Sequence, residues 1–344
     1  MNNPFTMSFG KEPRMNLSRL SQTGVILEAF DQEPPSQQTY IITGVRGAGK
    51  TVSLTMISKR YEEREDWIVL ELNPSSDLMK GMAAKLYNTA KLRSLISSVE
   101  FNFSMLGFGA AVTSGTEITD MEMAIEEMLK KVRSKNKRVL LVIDEVTNSP
   151  SMREFANAFQ IFIRKDYPLY LVMTGLYENI YNLQNNKALT FLYRAPKIAL
   201  NFLSISAVAN AYAGVFHLKE EESAAMARMT KGYPFAFQAL GYLRWENPDL
   251  SLEKLIPQYM QYLEEFVYEK IWSELPGREK EILLTVAEGS TKIGDIREKL
   301  KMSSSEMSVY RKRLDRRGLV ETGAYGLMSL RLPLFGEIIK MIGY

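Results

Sequence analysis

Gln38 to Thr55 reads QTYIITGVRGAGKTVSLT, an apolar run, a glycine-rich turn and the opening of a helix. Gly44, Gly49, Lys50 and Thr51 fit the phosphate-loop pattern G-x-x-x-x-G-K-[ST], and Gly47 adds a third glycine inside it. The spacing has a physical reason. Backbone N–H groups from Val45, Arg46, Gly47, Ala48, Gly49, Lys50, Thr51 and Val52 have to converge on phosphate oxygens without side chains in the way, while the next helix aims its positive end at the same anion. In that chemistry Lys50 reaches the β and γ phosphates and the Thr51 hydroxyl takes one coordination place on Mg2+. Tyr40, Ile41 and Ile42 before the loop and Val52, Leu54 and Ile57 after it supply the strand and helix that the motif requires.

Working outward, a helix running to about Glu62 is followed by WIVLEL, Trp67 to Leu72, a second buried strand ending at Asn73 and Pro74. Strand, helix, strand implies a parallel sheet. RVLLVIDEV, Arg138 to Val146, describes a buried strand that delivers Asp144 and Glu145 at its C-terminal end, where ligands sit in open α/β sheets. Asp144 is expected to hold Mg2+ through water and Glu145 to polarise the attacking water. Pro168 to Gly175 forms a fourth strand with Thr174 at its end, and Lys197 to Leu200 a fifth, preceded by Tyr193, Arg194 and Pro196. Between the strands, helices are expected over Asp77 to Ser97, Thr119 to Ser134 and Met152 to Arg164. Ser98 to Gly115 reads as a hairpin-like insertion, either an interaction surface or a loop tucked over the sheet.

Residues 1 to 37 read as an arm with one helix, Leu17 to Phe30, among four prolines. Beyond the fifth strand the chain turns helical: Ile205 to His217, Glu220 to Met229, Tyr233 to Trp245 and a long helix from Leu252 to Leu275. His217, the only histidine, reads as a packing residue. The final stretch forms three short helices, Arg278 to Glu288, Ile293 to Leu300 and Glu306 to Arg317, and a hairpin from Leu319 to Leu330, which together make a winged helix-turn-helix. On its third helix Met307, Tyr310 and Leu314 face inward. Ser304, Ser305, Ser308, Arg311, Lys312 and Asp315 face outward with Arg316 at the end, a face suited to a DNA major groove or to a protein partner.

Composition sets the outer limits. The 344 residues are 46% apolar, enough for two or three cores, and contain no cysteine, which excludes disulfides, thiolate catalysis and cysteine-bound metal centres. The beginning has no signal-peptide pattern and no stretch of about 18 apolar residues appears, so a cytoplasmic protein without a membrane segment is expected. Net charge is +3, but from Pro276 onward 13 basic residues face 9 acidic ones.

The order phosphate loop, acidic strand end, Thr174, Arg194, helical lid and winged helix resembles the AAA+ class of P-loop ATPases, and within it the initiator-type and archaeal-ATPase or STAND-like branch. The resemblance implies an α/β fold with sheet order 5-1-4-3-2 and an ATPase using ATP and Mg2+. It also implies a sensor-1 role for Thr174, a polar switch role for Asn73 and an arginine-finger role for Arg194. Gly232, Tyr233 and Pro234 look like the G-x-P element of the STAND-like branch, which puts Tyr233 and Pro234 at the nucleotide; no obvious sensor-2 arginine stands there. The expected divisions are 1–203 for arm and nucleotide-binding core, 204–275 for the lid and 276–344 for the winged helix. Two functions follow. In one, ATP state controls assembly into a homo-oligomer and docking on double-stranded DNA; in the other, a signalling or defence switch uses the winged helix to contact protein. A metabolic kinase is disfavoured by the lid and winged-helix ending.

Overall fold

A computed structural model describes residues 2–8, 10, 12–89, 121–186, 189–323 and 325–343. The insertion expected over 98–115 lies outside the described residues. The helix expected over 77–97 is corrected: it ends at Asn88, where Thr89 turns to an extended conformation. The chain forms two compact units, one of Arg19–Thr43 with Lys50–Ala199 and the other of Met1–Ser18, Gly44–Gly49 and Leu200–Tyr344.

The first unit contains α1 (Leu20–Asp31), β1 (Thr39–Thr43), α2 (Lys50–Glu62), β2 (Trp67–Leu72) and α3 (Leu78–Asn88). After the undescribed stretch come α4 (Met121–Ser134), β3 (Arg138–Ile143), α5 (Pro150–Arg164), β4 (Leu169–Gly175), α6 (Tyr177–Gln184), α7 (Thr190–Tyr193) and β5 (Lys197–Ala199). The five strands pair in parallel in the order β2-β3-β4-β1-β5, which is the expected 5-1-4-3-2 order read from the opposite edge. Side chains alternate across a strand, so each strand feeds two cores. Ile41, Leu70, Leu141 and Leu171 meet Met82, Leu129, Phe155 and Phe159 of α3, α4 and α5 on one face. On the other face Trp67 packs at a tilt against Tyr61 at 4.2 Å and Tyr170 at 4.8 Å, and Phe30 of α1 meets Tyr170 at 4.9 Å. Covering both faces is what a parallel sheet requires.

The second unit opens with the first residues of the chain. Phe5 is buried among Tyr212, Phe216 and Phe237, with ring centroids 5.5 to 5.9 Å apart, and a Cβ on Gly241 would lie 2.5 Å from its ring. The start of the arm therefore packs into the helices α8 (Ile205–Phe216), α9 (Glu220–Thr230), α10 (Pro234–Glu246) and α11 (Leu252–Leu263). His217 is corrected: it is exposed, ending α8 in a left-handed conformation with φ 55°, and is not a packing residue. The single long helix expected over Leu252 to Leu275 is also corrected. A π-helical turn, Glu264–Tyr268, separates α11 from α12 (Glu269–Ser273), and the extra residue in that turn buries the neighbours Val267 and Tyr268 together.

Three helices follow, α13 (Gly277–Ala287), α14 (Ile293–Lys299) and α15 (Ser304–Arg316), then the antiparallel pair β6 (Val320–Glu321) and β7 (Ser329–Leu330). Ser303 caps α15 by accepting from the Glu306 N–H at 3.1 Å. A last helix not foreseen from sequence, α16 (Phe335–Ile342), buries Phe335, Ile338 and Ile339 and packs against α13.

The tie between α13 and α15 is ionic. Glu279 is fully buried, with Arg313 Nη1 at 3.2 Å and Arg317 Nε at 3.3 Å. A buried carboxylate is tolerable only when paired, and deleting one partner strands the other. Glu279→Ala is expected to cost about 3 kcal/mol, because the half-buried Arg317 loses its counter-charge. Arg313→Ala is expected to cost less, about 1–2 kcal/mol, because the buried carboxylate loses one hydrogen bond but keeps Arg317. Urea unfolding followed by circular dichroism measures both; the reverse ranking would refute this account.

Candidate functional site

The sheet register gathers the first set of site residues. Leu72 pairs with Ile143 and Ile143 with Met173, while Thr43 pairs with both Gly175 and Ala199. The next residues on the neighbouring strands, Asn73, Asp144 and Thr174, therefore arrive side by side at the C-terminal edge. Asp144 is the hub. Its Oδ2 accepts from the Thr51 hydroxyl at 2.6 Å, and its Oδ1 accepts from the Thr174 hydroxyl in a very short hydrogen bond. The Glu145 N–H lies 3.1 Å from Asp144 Oδ1 and 3.2 Å from Thr174 Oγ1. Thr174 is fully buried, and its backbone carbonyl also accepts from the Val146 N–H at 2.8 Å. Glu145 is exposed and held at φ 54°, a left-handed conformation that a non-glycine residue adopts at a cost.

Thr51 stands in the first turn of α2, and Lys50, at its first position, is buried. Val52 is half buried in the same turn. Hydroxyl and carboxylate are the oxygen ligands that Mg2+ takes, one or two from protein with the rest from water and phosphate. Thr51 and Asp144 fit that donor set. Among the described residues no group of three or more His, Cys, Asp or Glu stands ready to cage a metal.

The loop Gly44–Gly49 belongs to the other unit. Gly47 and Gly49 have φ of 75° and 86°, which L side chains rarely adopt, and a Cβ on Gly44 would lie 3.2 Å from that of Ala48. Ala48 donates its N–H to the Val45 carbonyl at 3.1 Å, closing a tight turn. Small residues and left-handed glycines leave a backbone cradle, the shape that phosphate binding requires. Behind it, Tyr233 donates its hydroxyl to the Arg46 carbonyl at 2.5 Å, and Arg46 Nη2 pairs with Glu274 at 3.3 Å. Tyr233 is fully buried, and burial pushes its hydroxyl pKa far up, so it stays a donor. Pro234 follows at the first position of α10.

The remaining sequence-selected residues take no part in these hydrogen bonds. Asn73 is exposed and its Oδ1 accepts from the Ser75 N–H at 2.9 Å, holding its own turn. Arg194 ends α7 and is exposed, and its guanidinium has no hydrogen-bond or ion-pair partner among the described residues. On α15, Ser304, Ser305, Ser308, Lys312 and Arg316 are exposed, while Arg311 is half buried and donates to the Thr322 carbonyl at 3.0 Å. Ser304 accepts from Arg297 at 2.6 Å. Sequence reasoning missed Glu274, which stands well over two hundred residues from Arg46. No local pattern announces such a pair.

Two family models match the chain: an AAA domain over residues 35–183, and a domain of unknown function, DUF8462, over residues 265–339. The second begins within the π-helical turn, ahead of α13. No curated protein matches. Among solved structures the chain is similar to the Walker-type ATPase PABY2304 of Pyrococcus abyssi, with a TM-score of 0.67 at 14% identity, covering 96% of this chain and 98% of that one. It is similar to the ORC2 protein of Aeropyrum pernix, solved in ADPNP–ADP complexes, with a TM-score of 0.56 at 14% identity over 94% and 91% of the two chains. Cdc6p of Pyrobaculum aerophilum gives a TM-score of 0.50 at 16% identity, with 97% of each chain covered. At such identities the likeness is one of fold. No helix among the described residues is long and apolar enough to cross a membrane. Residues 35–183 thus form an AAA domain of the P-loop ATPase kind, in a chain that shares its fold with the Walker-type ATPase PABY2304 and with the ORC2 and Cdc6p proteins.

Proposed function

We propose that this protein is a nucleotide-controlled DNA-binding protein, in which ATP bound at Lys50 and Thr51 governs assembly and the docking of the C-terminal three-helix-and-hairpin unit, a winged helix, on duplex DNA. The observation that carries the nucleotide half is the single carboxylate of Asp144 bonded to both Thr51 and Thr174. Thr51, and Asp144 through water, would hold Mg2+, which would supply neutralisation of charge on the phosphates. Lys50 binds the β and γ phosphates, Glu145 orients and polarises the attacking water, and Thr174 fixes both acids from the neighbouring strand. The division of the chain at about 203 and 275 into core, lid and winged helix belongs to the same proposal. The ADPNP–ADP complexes of the Aeropyrum pernix ORC2 protein support a nucleotide at this place.

These assignments separate binding from chemistry. Lys50→Ala is expected to lose ATP. Glu145→Gln is expected to keep ATP and lose hydrolysis by about a hundredfold or more, because the amide keeps the shape and cannot act as base. Equilibrium binding of a fluorescent nucleotide and phosphate release measure the two; equal hydrolysis by wild type and Glu145→Gln would sink the assignment.

For the DNA half, the support is the outward face of α15, where Ser305, Ser308, Lys312 and Arg316 are exposed in one stripe, together with the basic excess after Pro276. Lys312→Ala and Arg316→Ala are each expected to weaken duplex binding, and losing a phosphate contact lowers the slope of log affinity against log salt by about one. Unchanged affinity and slope in the double variant would favour the second reading, a switch whose winged helix docks on protein. One observation favours that reading: Val309, in the middle of the same stripe, is 57% exposed. An apolar residue there suits either a thymine methyl or a protein surface.

Arg194 is proposed as an arginine finger supplied to a neighbouring copy of the chain, supported by its exposed guanidinium, without a partner among the described residues, just before the edge strand β5. Such an arginine stabilises charge on the transferred phosphoryl group and is worth on the order of a thousandfold in rate. Mixing Arg194→Ala with Glu145→Gln, each inactive alone, is expected to restore hydrolysis where an intact site meets an intact finger. Mixed oligomers confirmed by mass measurement that remain inactive would refute the trans role.

A further inference from the structure

The phosphate-loop pattern asks for glycine at Gly44 and Gly49 only; at Gly47 the φ of 75° already favours glycine, and the space for a side chain is taken as well. A Cβ at Gly47 would lie 2.2 Å from the Tyr233 hydroxyl oxygen and 3.0 Å from the Phe235 Cβ. The tyrosine tip thus fills the place where a side chain at 47 would stand, and from there it donates to the Arg46 carbonyl at 2.5 Å.

That hydrogen bond has a geometric consequence. The Arg46 carbonyl and the Gly47 N–H belong to one planar trans peptide and point in opposite directions. Holding the carbonyl toward Tyr233 therefore sends the Gly47 N–H to the other face of the loop. Tyr233 cannot easily withdraw. Lys231 and Gly232 are consecutive left-handed residues with φ of 47° and 73°, the Leu203 N–H donates to the Gly232 carbonyl at 2.7 Å, and Tyr233 is the N-cap of α10 with Pro234 at the first helical position. A Cβ on Gly232 would lie 2.1 Å from the Leu203 carbonyl oxygen, so this turn admits only glycine.

The tyrosine is in turn held from behind. Its ring stacks on that of Tyr268 with centroids 6.4 Å apart and an interplanar angle of 25°, within the range of favourable aromatic pairs. Tyr268, placed by the π-helical turn, donates to the Pro333 carbonyl at 2.8 Å and meets the Phe335 ring edge-on at 5.0 Å. Pro333 and Phe335 lead into α16, which packs on α13. The C-terminal segment also reaches the loop directly, since a Cβ on Gly318 would lie 3.4 Å from the Val45 Cβ.

We propose that Tyr233 is a positioning residue of the phosphate loop, aiming the Gly47 N–H through the Arg46 carbonyl, and that Tyr268 makes this aim depend on the docking of the C-terminal helices. The proposal rests on the ATPase reading for the phosphate that the N–H meets. Its structural half does not.

Tyr233→Phe keeps the ring and its stack and removes only the donor. In nucleotide-free protein, hydrogen exchange of the loop peptide over 44–50 is expected to speed up by roughly threefold to tenfold in Tyr233→Phe, the worth of one net hydrogen bond. Tyr268→Phe is expected to act in the same direction and to add little to Tyr233→Phe in the double variant, since the two act as one unit. Tyr259→Phe removes another buried hydroxyl, bonded to the Met229 carbonyl at 3.3 Å, and is expected to leave the loop unchanged. A fluorescent ADP titration is expected to show a parallel fall in affinity of about tenfold or less for the first two variants, with melting temperatures checked alongside. Loop exchange unaltered by Tyr233→Phe overturns the proposal even if nucleotide binding is normal. Loop exchange that rises while wild type itself binds no nucleotide overturns the ATPase reading and with it the role in aiming at phosphate.

Discussion

The carboxylate of Asp144 is the point on which the C-terminal edge of the sheet depends. β1 and β3 are not neighbours, because β4 lies between them. Thr51, in the helix that follows β1, reaches past β4 to Asp144 Oδ2, while β4 contributes Thr174 to the other carboxylate oxygen. One side chain thereby ties three segments that the topology brings together only through the order 2-3-4-1-5. A carboxylate accepting from two hydroxyls and a backbone N–H has its lone pairs directed, and its orientation becomes a property of the sheet rather than of a rotamer.

The same cluster explains why Glu145 stands in a left-handed conformation. Its N–H turns back toward Asp144 Oδ1 and Thr174 Oγ1, and the following N–H, of Val146, bonds the Thr174 carbonyl. Satisfying these groups forces the chain to reverse at Glu145, and the side chain is left exposed while its backbone is fixed at both ends. Strain of about 1–3 kcal/mol is the usual cost of such a residue, and the network offsets it. A glycine would relieve the strain and remove the acid.

How much of this is legible in sequence depends on the range of the forces involved. β2 runs from Trp67 to Leu72 as read, because an apolar run bounded by Asp66 and the Asn73-Pro74 turn admits little else. The Ser303 cap of α15 is equally local. The π-helical turn has no sequence signature of this kind: Glu264 to Tyr268 continues the helical periodicity, and only packing against two different partners selects the extra residue. α16 escaped notice because it follows Pro333 and a left-handed Leu334, a start without an ordinary cap, and α6 because eight residues offer too few turns for a periodic signal. His217 was misread since apolar helix company says nothing about the residue that terminates the helix. The strand-end acids and the phosphate loop were legible through their spacing, whereas the partners Glu274 and Tyr268 come from remote chain and became visible only in three dimensions.

The phosphate-loop pattern leaves four positions open between its outer glycines, and in this chain each is set by what lies behind the loop. Val45 is buried, with the backbone at Gly318 approaching its side chain. Arg46 turns its guanidinium to Glu274 and its carbonyl to Tyr233. Gly47 yields its side-chain space to the Tyr233 hydroxyl, and Ala48 is fully buried, its methyl so near Gly44 that a Cβ there would lie 3.2 Å away. An anion-binding loop turns its N–H groups to one side, so its carbonyls and side chains must find partners on the other, because a buried unsatisfied carbonyl costs more than a hydrogen bond returns. The residues V-R-G-A are thus the impression left on the loop by the helices that support it. A different supporting tyrosine or acid would select a different tetrad at the same spacing.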